Sequence, residues 1–174
     1  MQKFISCDWG TSTLRLRFVD ATGMMVLAET EGSEGISQTF NLWKQSGRKE
    51  DGRLHFYQSI LKKHIVQLEE QLNFSLPDMP LIISGMASST IGMMELPYKE
   101  VPFSIDGHDL VLKTIEESED FRHPILMISG VRTANDVMRG EETQLTGCLH
   151  SDDEEDQIFI FPGTHSKHVS VKKK

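Results

Sequence analysis

The chain has 174 residues, 38% of them hydrophobic, and a formal net charge of −8. That length supports one well-buried domain, or one domain and part of another. The acidic balance argues against a nucleic-acid partner, no apolar run is long enough for a membrane-crossing helix, and the start lacks the basic and apolar regions of a secretory leader, so a cytoplasmic location is expected.

Two cysteines, Cys7 and Cys148, read as reduced, partly buried thiols rather than a disulfide framework, and no cluster has structural-zinc spacing. Residues 3–8 and 13–20 are apolar, β-branched and bounded by turn residues, so they predict two strands. After the turn Asp20-Ala21-Thr22-Gly23, residues 24–31 predict a third, completing an antiparallel meander. Residues 32–52 are polar and Gly-rich and read as a loop, with at most a short helix around 40–44. Residues 54–72 predict a helix, because Leu61, Ile65, Leu68 and Leu72 form one apolar stripe.

Residues 81–84 are fully apolar up to Ser84 and suit a strand in the middle of a sheet, as do residues 125–130. Between them, residues 85–102 read as loop. Residues 135–147 predict a helix with Asn135 or Asp136 near its N-cap. Residues 151–156 form an acidic run that reads as a solvated linker. A last strand–turn–strand, residues 158–169, has no sheet of its own to join and reads as the opening of a second lobe. The expected organisation is therefore a lobe over residues 1–150, a linker over 151–156, and a partial second lobe over 157–174.

The first hairpin turn carries the most chemistry. Asp8 at a strand end can hold a hydrated Mg²⁺, which takes only one or two protein carboxylates. Gly10 lets backbone approach a ligand, and Thr11, Ser12 and Thr13 add hydroxyl donors for phosphate. Arg15 can reach a phosphate or a carboxylate with its planar fork. The second turn, Gly163-Thr164-His165-Ser166-Lys167, suits an anion-binding nest, with Lys167 as phosphate contact. His165 and His168 lack a third ligand and make a weak metal signal.

Asp136 is either a helix cap or a general base for a substrate hydroxyl. Arg139 and Glu142 are candidates for substrate contact, Glu141 less so. Ser88, Ser89 and Thr90 follow a buried strand, where open α/β sheets place ligand contacts, and offer hydroxyls to a polyol. Each of these features alone is compatible with an ordinary turn or a solvated face.

Together, Asp8-Trp9-Gly10-Thr11-Ser12, residues 85–92 with Pro97-Tyr98 and Val101-Pro102, residues 137–145 and residues 162–169 resemble the 2-dehydro-3-deoxygalactonokinase family, in the family's order. The resemblance implies the fold shared by sugar kinases, actin and heat-shock chaperone ATPases: an α/β, ribonuclease-H-like mixed sheet flanked by helices, followed by the first hairpin of a second lobe. It implies an ATP- and Mg²⁺-dependent kinase acting on the 6-hydroxyl of 2-dehydro-3-deoxy-D-galactonate. On that reading Gly10, Thr11, Ser12, Thr13, Gly163, Thr164 and Lys167 bind phosphate, and Asp8 the metal. Arg15, Ser88, Ser89, Arg139 and Glu142 hold the sugar acid, and Asp136 is the base, with Glu142 as the alternative.

Family members are longer, so this chain alone is expected to have little kinase activity. The expected partners are the sugar acid and ATP, with a homo-oligomer through an uncovered strand edge as a candidate assembly. Rival readings are a sugar-acid-binding regulator that lost catalysis, an actin-like assembly protein, and another phosphotransferase of the same superfamily.

Overall fold

In the first strand every second side chain is buried: Ile5, Cys7 and Trp9 point one way, while Phe4, Ser6 and Asp8 point the other. This period of two is the signature of a strand with one face on a core. The computed structural model describes residues 2–148, 155–162 and 165–172. In chain order its elements are β1 (Lys3–Trp9), β2 (Leu14–Asp20), β3 (Met25–Gly32), α1 (Ile36–Gln45), α2 (Arg53–Leu72), β4 (Leu81–Gly85), β5 (Lys99–Glu100) and β6 (Leu112–Ile115). They continue with β7 (Ile125–Ile128), β8 (Val131–Arg132), β9 (Val137–Met138), α3 (Glu141–Cys148), β10 (Gln157–Phe161) and β11 (Lys167–Val171).

The main sheet has the order β3-β2-β1-β4-β7-β6. The meander β1–β2–β3 is antiparallel, β1–β4 and β4–β7 are parallel, and β6 closes the far edge antiparallel to β7. This is the α/β mixed sheet, antiparallel first and parallel later, that the sequence leads one to expect. Ile5, Cys7, Trp9, Leu14, Leu16, Phe18, Leu81, Ile83, Ile125 and Met127 belong to one continuous core cluster with Tyr57, Leu61, Ile65 and Leu68 of α2. Burying each large apolar side chain contributes roughly 1.5–3 kcal/mol. Asn73 ends α2 in the left-handed region at φ 57°, a conformation asparagine tolerates better than most residues.

Three expectations need correction. Residues 32–52 are not mostly loop: α1 has ten residues, because Ile36, Thr39 and Trp43 give it a buried stripe. Residues 135–147 are not one helix. Val137 and Met138 pair with Arg132 and Val131 as strand, and Gly140, at φ +105°, turns the chain so that α3 starts only at Glu141. Asp136 is therefore no helix cap. Its carbonyl accepts from the Thr133 N–H at 2.8 Å, and its own N–H donates to Thr133 Oγ1 at 2.9 Å, closing a turn before β9. Residues 85–102 include a single 3-10 turn, Met86–Ser88, and the short β5, which pairs parallel with β8.

β10 and β11 form the expected terminal hairpin, with Phe159 opposite Val169. Gly163, Thr164 and most of the acidic run 151–156 lie outside the described residues. Among the described residues no helix is long and apolar enough to cross a membrane. Neither cysteine is bonded, as expected, but Cys7 is fully buried and Cys148 exposed, where partial burial of both was expected.

Candidate functional site

The end of β1 organises the site. Asp8 sits in register with Arg15 on β2 and with Ser84 on β4, and Arg15 in turn with Glu31 on β3. These four side chains therefore form a polar row on the sheet face opposite the core. Arg15 donates from Nε at 3.1 Å and from Nη2 at 2.7 Å to Glu31 Oε2. That bond, followed by the fields of Glu31, Glu29 and Asp8, raises its pKa against the opposing effect of burial. Arg15 is thus already engaged by its neighbour strand.

Between β1 and β2 the chain turns through Gly10–Thr13, closed by the Gly10 N–H donating to the Thr13 carbonyl at 2.9 Å. Thr11, Ser12 and Thr13 are exposed, and among the described residues no acceptor takes their backbone N–H groups. Their carbonyl side is used: Gly10 and Thr11 accept from the N–H groups of Ile36 and Ser37 at the start of α1. Gly35 makes this docking possible, since a β-carbon there would lie 2.3 Å from the Ser12 carbonyl carbon. Sequence reasoning missed Gly35; its only signal was a glycine ahead of an unrecognised helix.

Backbone contacts bring the other segments to the same place. A β-carbon at Gly85 would lie 2.7 Å from the Trp9 carbonyl oxygen, and one at Gly140 would lie 3.5 Å from Gly85 Cα. So the ends of β1 and β4 and the Arg139–Glu142 segment adjoin. Arg139 is the best-anchored side chain here. Its guanidinium lies 4.0 Å from the Tyr98 ring centroid, Nε donates to Tyr98 Oη at 3.0 Å, and Nη1 donates to the Ser88 carbonyl at 2.5 Å and Ser88 Oγ at 2.7 Å. Among the described residues no acceptor takes Nη2, and the side chain is only partly buried. The role of Tyr98 was also missed, although the Pro97-Tyr98 motif was visible.

Ser88 and Ser89 turn inward. Ser88 is wholly buried, with Oγ at 3.4 Å from the Gly85 carbonyl, and the buried Ser89 Oγ donates to the Met86 carbonyl at 2.7 Å. They shape the loop rather than offer free hydroxyls to solvent; Thr90 is the exposed member of the trio.

Glu142 is wholly buried, and both its oxygens lie 2.9 Å from the Gly140 N–H. Burial pushes its carboxyl up to about 7, against the opposing pull of that N–H. Glu141 Oε2 accepts from the Arg139 N–H at 2.9 Å. Asp136 is exposed, and its Oδ1 accepts from Lys167 Nζ and from the Val137 N–H at 2.8 Å. Those two bonds, Lys167 first, hold its carboxyl below the usual range. The structure therefore brings the second hairpin onto Asp136 through Lys167. Among the described residues no group of three or more His, Cys, Asp or Glu could hold a metal ion. A hollow of about 230 Å³ between α2 and residues 119–123 shares no lining residue with this cluster.

The pattern of the family described as 2-keto-3-deoxy-galactonokinase matches residues 8–174. The chain belongs to that family. A Rhizobium meliloti protein named as a probable 2-dehydro-3-deoxygalactonokinase is 30% identical over 97% of this chain. The Escherichia coli 2-dehydro-3-deoxygalactonokinase is 32% identical over 97% of it. This galactonokinase-family chain spans about half the length of both, 49% in each case. A Sinorhizobium meliloti protein solved under the 2-dehydro-3-deoxygalactonokinase name superposes with a TM-score of 0.75 at 28% identity, covering 98% of this chain and 50% of that one. A reductive activator for a corrinoid, iron–sulfur protein superposes with a TM-score of 0.57 at 17% identity over 97% of this chain and 29% of its own, a likeness of fold alone. The chain's fold is thus the ribonuclease-H-like mixed α/β sheet of actin-like ATPase folds, as the residues suggested.

Proposed function

We propose that the chain carries the first phosphate turn and the sugar-acid contacts of an ATP-dependent 2-dehydro-3-deoxygalactonokinase, which phosphorylates the 6-hydroxyl of its substrate. The observation that carries this reading is Arg139. Its guanidinium is stacked and pinned on two sides, and one end of its fork is uncommitted beside the end of β4. A planar fork held in that way suits the carboxylate of an aldonic acid.

The undonated N–H groups of Thr11, Ser12 and Thr13, at a turn directly after Asp8, have the donor chemistry that a polyphosphate with hydrated Mg²⁺ requires. Asp8 would hold the metal through its waters, and Mg²⁺, when bound, neutralises charge on the transferring phosphoryl group. Asp136 is exposed and ionised at neutral pH, so it can accept the hydroxyl proton as phosphoryl transfer proceeds. Glu142 has no exposed surface through which to touch a substrate. Lys167 is the cation next to Asp136 and supplies the phosphate contact of the second hairpin.

Calorimetric titration with 2-dehydro-3-deoxygalactonate tests the reading. Binding by the wild-type chain, weakened at least about tenfold by Arg139→Lys, is the expected result. No binding by the wild-type chain, or equal binding by the variant, overturns it.

A further inference from the structure

The loop after β4 receives two side-chain donors from the first turns of α2. Arg53, the first residue of α2, donates from Nη2 to the Thr90 carbonyl at 2.5 Å. Tyr57, one helical turn on, donates its hydroxyl to the Ile91 carbonyl at 2.6 Å. Thr90 and Ile91 follow directly on Ser88 and Ser89. The backbone of the same loop is closed by the Ser89 N–H on the Met86 carbonyl at 3.1 Å, the Gly92 N–H on the Ser89 carbonyl at 2.8 Å, and the Leu96 N–H on the Ser88 carbonyl at 3.0 Å. Ser88 is also the residue that grips Arg139 through both its carbonyl and its hydroxyl. A continuous path of polar contacts and peptide bonds therefore runs from α2 to the uncommitted end of the Arg139 fork.

Arg53 reaches the loop from within an aromatic box. Its guanidinium lies 5.2 Å from the Trp43 ring centroid, 5.4 Å from Phe40 and 6.0 Å from Tyr57. Among the described residues its Nε is buried without an acceptor, and so is the neighbouring Trp43 Nε1. Its charge partner, Glu50 at 2.9 Å, is largely exposed and is worth little. Leaving buried donors unpaired costs free energy, which the attraction of the guanidinium to the ring faces offsets. An apolar residue would forfeit the attraction between the guanidinium and these rings, and it could not hold the Thr90 carbonyl. Tyr57 is wholly buried, and it also reaches the other side of the site: its ring lies 5.5 Å from Trp9, the residue after Asp8, whose Nε1 donates to the Glu34 carbonyl beside Gly35.

We infer that Arg53 and Tyr57 are positioning residues for the sugar-acid site: by holding the Thr90 and Ile91 carbonyls they place Ser88, and through Ser88 they aim Arg139. This rests on the reading that the Arg139 fork takes the substrate carboxylate. Neither residue touches the substrate, and each acts through the loop.

Amide hydrogen exchange, thermal unfolding and calorimetric binding of 2-dehydro-3-deoxygalactonate would be measured on wild type, Arg53→Met, Arg53→Lys and Tyr57→Phe. Arg53→Met should melt within a few degrees of wild type. Its Ser89, Gly92 and Leu96 amides should exchange about tenfold faster while β1 and β4 amides keep their protection, and sugar-acid affinity should fall by about the same factor. Arg53→Lys keeps a donor and should recover part of both losses, whereas Tyr57→Phe should lose both. Unchanged loop exchange in Arg53→Met overturns the inference, as does faster exchange spread over the whole sheet with a lowered melting point, which marks a purely structural role. Wild-type affinity retained in Arg53→Met and Tyr57→Phe overturns the positioning role alone. A wild-type chain that binds no sugar acid overturns the functional reading, and this role with it.

Discussion

Lys167 on β11 donates from Nζ to Oδ1 of Asp136, the residue that closes the turn before β9. The two residues stand 31 positions apart in the chain, and the lysine side chain keeps only 12% of its exposure. Sequence reasoning gave them separate tasks, a phosphate contact and a proton acceptor. The structure makes each the other's partner. The cation favours the ionised carboxylate, and the carboxylate ties β11 to the turn before β9.

The first expected consequence is a titration. Asp136 has a carboxyl held below its ordinary 3.8, first by Lys167 and then by the Val137 N–H. A carboxyl depressed in the folded state adds stability above its unfolded pKa and loses it as pH falls through the folded value. Exposure makes the effect small. Carboxyl NMR titration should find Asp136 below 3.8 in the wild type and higher in Lys167→Gln. Identical values in the two proteins would show that the contact is not formed in solution.

Glu142 should behave in the opposite sense. Its carboxyl is pushed from 4.5 up to about 7 by burial. Between those values the folded chain holds a proton that the unfolded chain has released. Stability therefore falls as pH rises through this window and levels off above it. The full effect is on the order of 3 kcal/mol. Glu142→Gln removes the titration yet keeps an oxygen for the Gly140 N–H. The denaturation midpoint of the wild type should drop between mildly acidic and mildly alkaline pH, and the variant's should drop less. Parallel pH profiles would refute the assignment.

Much of the main sheet was legible because its strands follow simple periodic rules. Ile5, Cys7 and Trp9 alternate with outward residues, Leu81 and Ile83 sit in an apolar run, and Leu61, Ile65 and Leu68 repeat as a helical stripe. What stayed hidden depends on partners far along the chain. Thr39 looks polar, but its hydroxyl finds the Glu34 carbonyl at 3.0 Å, so it can be buried and α1 can extend. β6 is an edge strand with Leu112, Lys113 and Thr114 exposed, and so lacks an alternating pattern. Val137-Met138 fits a helix by composition, yet β8 offers a ladder and Gly140 a turn. The Ser88-Ser89 loop was placed correctly after β4. The direction of the Ser88 hydroxyl was not readable, because it is decided by Arg139, 51 residues later.

The two thiols should separate chemically. Cys7 is buried, and burial, then the Asp8 charge, raises its pKa well above the usual thiol value. The thiolate is the reactive form, so Cys7 should be inert in the native chain. Cys148 is exposed. Titration with a coloured disulfide reagent should modify one thiol per native chain and a second only after denaturation. Mass spectrometry should place the first label on Cys148. Rapid labelling of Cys7 would mean that the end of β1 opens far more readily than its packing implies.

Gly35 and Gly10 make a controlled comparison at the turn between β1 and β2. A β-carbon at Gly10 would meet nothing closer than the Thr13 carbonyl oxygen at 3.5 Å, an ordinary contact. A β-carbon at Gly35 would meet Ser12 backbone atoms at 2.3 and 2.5 Å and the Thr11 carbonyl oxygen at 2.5 Å. Backbone cannot step aside as a flexible side chain can, so α1 or the turn must move. That movement breaks the Ile36 and Ser37 N–H bonds to the Gly10 and Thr11 carbonyls. Gly35→Ala should therefore cost about 2–3 kcal/mol, in line with overpacking plus lost hydrogen bonds. Gly10→Ala should cost well under half of that, because a β-carbon there meets only ordinary contacts. Urea denaturation of both variants reads the difference directly. Equal losses would mean that the turn rests on α1 less tightly than these distances require.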